Sequence, residues 1–98
     1  MAKIPKPRFN LKKPQSKSET LIYLIFRYRG QKLRYSTQLT IRPNEWDFEA
    51  QRPLERERRP DLWAIRRQLD EYAGFAKTIY IEHDYGAISM EDFKVQLD

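Results

Sequence analysis

The sequence predicts an α+β fold: a three-stranded antiparallel sheet with one face packed by a long C-terminal helix. Three observations lead there. Two stretches rich in β-branched and aromatic residues, 20–29 and 32–41, flank a single glycine, Gly30. A shorter alternating stretch precedes them, and a segment with apolar residues at spacings of three and four follows them.

The first strand is expected over about 7–12. Phe9 and Leu11 alternate with Arg8, Asn10 and Lys12, while Pro5 and Pro7 confine the start to a frayed or edge position. Residues 13–19, KPQSKSE, read as a polar loop. TLIYLIFRYR (20–29) reads as the central strand. Gly30-Gln31 suits a two-residue type II′ turn into the third strand, 32–41.

A turn at Gly30-Gln31 sets a register. Arg29 then faces Lys32, Tyr28 faces Leu33, Phe26 faces Tyr35, Leu24 faces Thr37 and Ile22 faces Leu39. The other pairs are Arg27 with Arg34, Ile25 with Ser36, and Tyr23 with Gln38. One face is thereby almost wholly apolar and the other collects four cations, although like charges directly opposite one another are destabilising.

RPNEWD (42–47) suggests one helical turn with Asn44 as its cap, and 48–60 reads as a charged connector. The long helix is expected over about 61–85, with Asp61 as cap and Gly86 as stop. Leu62, Ile65, Leu69, Tyr72, Ala76, Ile79 and His83 form its apolar stripe. Ser89, ahead of Glu91 and Asp92, caps a further helix running to Asp98. Trp46 and Trp63 read as core anchors on either side of the connector.

Composition narrows the function. The 98 residues include no cysteine, which excludes disulfides and thiolate metal sites, and no apolar run nears the ~20 residues of a membrane span. The expected location is the cytoplasm, in association with the nucleoid. His83 is the only histidine and the three glycines are isolated, so metal clusters, histidine-based nucleophilic catalysis and phosphate loops lack their parts. No cofactor is expected. Asp70-Glu71 and Glu91-Asp92 are adjacent on helices, do not converge, and read as solvated surface. Net charge is +5, but it is segregated. Residues 1–42 carry eleven Lys/Arg against Glu19 alone (+10), whereas 43–98 carry eight against thirteen acids (−5).

A basic open sheet face suits a polyanion. Arginine binds guanine edges and glutamine adenine edges, while lysine neutralises phosphate. Arg27, Arg29, Arg34 and Gln38 are the expected base-edge contacts. Lys32, Ser36, Tyr23, Arg8, Lys12 and Lys13 are expected at phosphates, and Asn10 joins the same surface. Sheets that read single-stranded RNA carry several stacking aromatics on the open face. Here Tyr23 is the one left there, which favours double-stranded DNA. RERRP (56–60) is a further backbone contact to weigh, diluted by nearby glutamates. The alternatives are a solvated anti-aggregation surface and a protein-interaction module whose basic face binds an acidic partner.

Ile22-Tyr23-Leu24, the turn Arg29-Gly30-Gln31-Lys32, Ser36-Thr37, Asn44-Glu45-Trp46-Asp47 and Gln51-Arg52 occur in an order that resembles the N-terminal arm-DNA-binding domain of tyrosine recombinases. The likeness is to integrases of conjugative transposons and covers essentially residues 7–98. It implies insertion of the sheet into the major groove of arm-type sites during DNA integration. It also implies that core-binding and catalytic domains of a parent recombinase carry the tyrosine chemistry, so that this domain is not itself an enzyme. Residues 1–86 would form the arm domain, and 87–98, which include GAISMEDFKVQL, would begin the linker or core-binding region.

Overall fold

In a computed structural model, which describes residues 4–98, the chain forms a three-stranded antiparallel sheet backed by two helices. The strands are β1 (Arg8–Leu11), β2 (Thr20–Tyr28) and β3 (Gln31–Ile41), in the order β1-β2-β3. The helices are α1 (Pro60–Glu82) and α2 (Met90–Leu97). Residues 1–3 of the predicted N-terminal region lie outside the described residues.

The hairpin register differs from the expected one by two residues. Tyr28 faces Gln31, Arg27 faces Lys32, Phe26 faces Leu33, Ile25 faces Arg34, Leu24 faces Tyr35 and Tyr23 faces Ser36. The turn residues are therefore Arg29 and Gly30, not Gly30 and Gln31. Their φ angles of +47° and +74° are the pair of left-handed values that a type I′ turn requires. The arrangement of Arg29 opposite Lys32 does not occur.

Because side chains alternate with a period of two, a two-residue displacement leaves the paired residues, 23–28 and 31–36, on their expected faces. The offset is then taken up in β3. Thr37, Gln38 and Leu39 bulge opposite Ile22, with Gln38 at φ +64°, and pairing resumes at Leu21–Thr40 and Thr20–Ile41. Buried Thr37 closes the gap by donating its hydroxyl to the Ile22 carbonyl at 2.8 Å.

Phe9, Leu11, Ile22, Leu24, Phe26, Tyr28, Leu33 and Ile41 supply the sheet side of one core. Against them lie Leu62, Leu69, Ala76, Ile79 and Tyr80 of α1, with Ile65 and Tyr72 partly buried at the margin. Each large side chain fully removed from water contributes about 1.5–3 kcal/mol. Tyr80, outside the expected stripe, is buried, with its ring edge-on to Phe26 and Tyr28 of the hairpin and to Tyr85 of the connection after α1. Phe26, Tyr28, Tyr80 and Phe93 form an aromatic cluster with ring centroids 5.4 to 6.4 Å apart. Phe93 and Leu97 belong to this same core, so α2 packs with the body expected to end at residue 86.

Three local expectations are corrected. The turn at Pro43–Glu45 is a 3-10 helix with Arg42, not Asn44, in the capping position and Pro43 in its first turn. Likewise α1 begins at Pro60 with Arg59 before it. Asp61 lies inside the first turn, where its carboxylate takes two bonds from the Arg59 guanidinium at 3.0 and 2.9 Å. In both places proline, whose missing N–H is harmless at a helix start, decides the boundary. Trp63 is 53% exposed and anchors nothing, whereas Trp46 is 4% exposed and does. Ser89 caps α2 as expected, accepting from the Asp92 amide at 3.1 Å.

The connector also holds structure the residue pattern does not announce. β4 (Trp46–Asp47) pairs with β5 (Arg52–Pro53) in a small ribbon. From its tip Gln51 accepts the amide of Phe9 at 3.0 Å, and the Arg52 guanidinium lies 4.8 Å from the Phe9 ring centroid.

Candidate nucleic-acid interface

The helices cover one side of the sheet and leave the other open. Cross-strand pairing arranges the open side in rows. Arg27 and Lys32 form the row nearest the hairpin tip, Arg8, Ile25 and Arg34 the middle row, and Asn10, Tyr23 and Ser36 the next. The Lys12 amide donates to the Leu21 carbonyl at 2.9 Å, which extends the β1–β2 pairing and keeps Lys12 in alternation with Asn10 and Arg8. Adjacent rows are about 7 Å apart and adjacent strands about 4.8 Å apart.

Arg8, Lys12, Lys13, Arg27, Lys32 and Arg34 are all exposed, and none has an ion-pair partner among the described residues. The bridges that do form join Arg52 to Asp70, Arg59 to Glu45 and Asp61, Arg66 to Glu55, and Arg67 to Glu71, all in the 3-10 turn, the connector and α1. Charge is thus neutralised beyond the sheet and left uncompensated on its open side. In RERRP, Arg59 is held by Asp61 and Glu45, which raise its affinity for the proton, while the Arg59 guanidinium keeps the Asp61 carboxyl below the usual carboxylate range. That arginine is engaged within the protein.

The middle of the face is ordered. The Arg34 guanidinium lies 4.2 Å from the centroid of the Tyr23 ring, a contact worth about 0.5–1 kcal/mol at exposed sites. Ile25 faces outward yet is only 6% exposed, and it stands apart from the main core. Its cross-strand neighbours are Arg8 and Arg34, side chains with aliphatic stems long enough to shield an apolar residue between them.

The remaining expected site residues divide. Ser36 lies in the Tyr23 row, and its hydroxyl accepts from both the backbone and side-chain nitrogens of Gln38 at 3.3 Å. Gln38 is exposed but belongs to the bulge, so it does not face Tyr23 as expected. Arg29 is not brought together with the others: its guanidinium donates to the backbone carbonyls of Tyr85 and Asp84, on the helical side. Nothing in the residue pattern around Arg29 could have revealed those acceptors, which lie more than fifty positions away.

The tyrosine hydroxyls whose proton affinity is raised, Tyr28 and Tyr35, belong to the covered side. Burial is the chief cause in both, and for Tyr35 a hydrogen bond to Asp98 adds to it. Among the described residues, no group of three or more His, Cys, Asp or Glu side chains is placed to hold a metal ion. Among the same residues, no helix is long and apolar enough to cross a membrane.

Compared with known families, residues 9–94 match a family model described as an arm DNA-binding domain. No curated protein and no solved structure matches the chain.

Proposed function

The chain belongs to the arm DNA-binding domain family, a DNA-binding module typical of tyrosine recombinases, and from that premise we propose that its open sheet face enters the major groove of duplex DNA at arm-type sites. The uncompensated cationic face carries this reading. Three strands span about 10 Å centre to centre, and the major groove is about 12 Å wide, so the sheet fits where a helix otherwise would. Among the described residues one aromatic, Tyr23, stands on the face, and its ring is engaged by Arg34, which argues against a stacking platform for unpaired bases.

In this reading Arg27, Arg34 and Gln38 approach base edges. Arg34 is the best prepared, because its ring contact limits the freedom it must lose on binding. Lys32, Arg8, Lys12, Lys13, Ser36 and Tyr23 meet the backbone, and Asn10 lies between the two groups. The domain binds and positions; strand cleavage belongs to core-binding and catalytic domains of a parent recombinase acting at the nucleoid. Residues 87–98, though packed on the core, lead toward those domains.

Chemical-shift mapping with a mixed-sequence duplex at low salt tests the face. Perturbations confined to residues 8–12 and 23–38 are expected. Perturbations centred on the exposed side of α1 would place the DNA elsewhere and end the proposal.

A further inference from the structure

Arg29 sits at the tip of the hairpin that presents Arg27 and Lys32, yet its side chain turns to the opposite side of the sheet. Its Nε donates to the Tyr85 carbonyl at 2.9 Å and its Nη2 to the Asp84 carbonyl at 2.8 Å. Those carbonyls belong to the connection between α1 and α2. There Asp84, Tyr85 and Gly86 have successive φ angles of +52°, +58° and +104°. Consecutive left-handed residues are unfavourable and persist only where surrounding contacts dictate them.

The hairpin supplies several of those contacts. The Tyr28 hydroxyl donates to the Ile88 carbonyl at 2.9 Å. A Cβ placed on Gly86 would meet Tyr28 and Tyr80 at 3.0 Å and the Arg29 side chain at 3.3 Å, so the backbone of the connection lies directly on the base of the turn. Within the connection, the Gly86 amide bonds the Tyr80 carbonyl at 3.2 Å and the Ala87 amide bonds the His83 carbonyl at 2.7 Å. Arg29 itself adopts a left-handed φ, an unfavourable conformation for a long side chain, and reaches two carbonyls with the fork of donors that only a guanidinium carries.

The structure assigns Arg29 the role of a positioning residue: it latches the α1–α2 connection to the hairpin, so the turn that offers Arg27 and Lys32 to DNA also sets the placement of α2. A phosphate at Arg29 would have to displace both carbonyls. The latch stands without reference to DNA. Resting on the function proposed above, it also couples the two ends of the domain. Whatever steadies the hairpin steadies α2, and docking of α2 strengthens duplex binding by the same factor.

Amide hydrogen exchange on the full chain tests this with Arg29→Ala, Arg29→Lys and Lys32→Ala. Loss of two charge-assisted bonds at an exposed site predicts roughly tenfold faster exchange across 84–97 in Arg29→Ala. A smaller acceleration is expected in Arg29→Lys, and none in Lys32→Ala, while the Leu24 and Phe26 amides hold their wild-type rates. In parallel, Arg29→Ala retains the wild-type salt dependence for a mixed-sequence duplex. Unchanged exchange across 84–97, or acceleration spread equally over β2, overturns the latch; so does a salt slope reduced as in Lys32→Ala. Should the wild-type chain bind no duplex at all, the DNA reading fails, and the exchange rates alone still decide the latch.

Discussion

Removing one lysine from the open face should change the salt dependence of DNA binding by a countable amount. Four exposed cations without ion-pair partners, Arg8, Lys12, Lys13 and Lys32, are assigned to phosphates. Each neutralised phosphate adds about −0.9 to the slope of log K against log salt, which gives about −3.6 for the wild type. Between about 50 and 200 mM salt that slope weakens binding roughly 150-fold. Lys32→Ala should shift the slope to about −2.7 and cut the loss over the same interval to roughly 40-fold. Lys32 is exposed at the third strand's start and opposes Arg27, so its removal relieves a like-charge pair and should not destabilise the fold. Fluorescence anisotropy of a labelled mixed-sequence duplex across a salt series measures both slopes. A wild-type slope shallower than about −1, or identical slopes for the two proteins, would refute the assignment of this face to the DNA backbone.

Two further outcomes follow from the covered side. Gly86→Ala combines an unfavourable φ of +104° with contacts of 3.0 Å to two tyrosine rings, and should destabilise the domain by about 2–4 kcal/mol. Denaturant unfolding measures it, and a change under about 0.5 kcal/mol would contradict the close seating of the connection. Tyr35 has its proton affinity raised first by burial and then by the bond to Asp98, so the folded state holds the proton longer than the unfolded state. Its contribution is therefore complete below the ordinary tyrosine value of about 10 and is lost as pH rises above it. Urea melts of the wild type and Tyr35→Phe from about pH 8 to 11 should run parallel up to about pH 10 and then begin to draw together, and curves that stay parallel throughout would exclude the effect.

Which face each strand residue occupies was legible from alternation alone, even though the turn was misplaced. A period of two forgives an error of two, so Phe26 and Arg27 kept their sides while every cross-strand partner between the turn and the bulge changed. The turn itself was obscured because Gly30 satisfies either turn type, and the acceptors that Arg29 finds at Asp84 and Tyr85 are remote in sequence. The bulge at Gln38 had no glycine to announce it; it is held by Thr37, whose hydroxyl reads locally as an ordinary strand position. Helix periodicity located α1 but not Tyr80, which packs against Phe26, Tyr28 and Tyr85, residues remote in sequence or beyond the helix end. The two boundaries set by Pro43 and Pro60 were displaced by one or two positions toward Asn44 and Asp61, residues with good capping chemistry that the fold uses for other bonds. Trp63 shows that size and apolarity do not bury a residue on the wrong side of a helix.

The side-chain amide of Gln51 on β1 has a bearing on assembly. An uncovered sheet invites strands from neighbouring molecules to join at its margins. At one margin the Phe9 amide is already occupied, the strand is four residues long, and Pro7 precedes it. At the other, the kink at Gln38 and the charged Lys32 and Arg34 spoil the straight, neutral border that a recruit needs. Copies crowded along a nucleic acid thus meet without zipping together, and contacts between them must come from loops, helices or the shared polyanion.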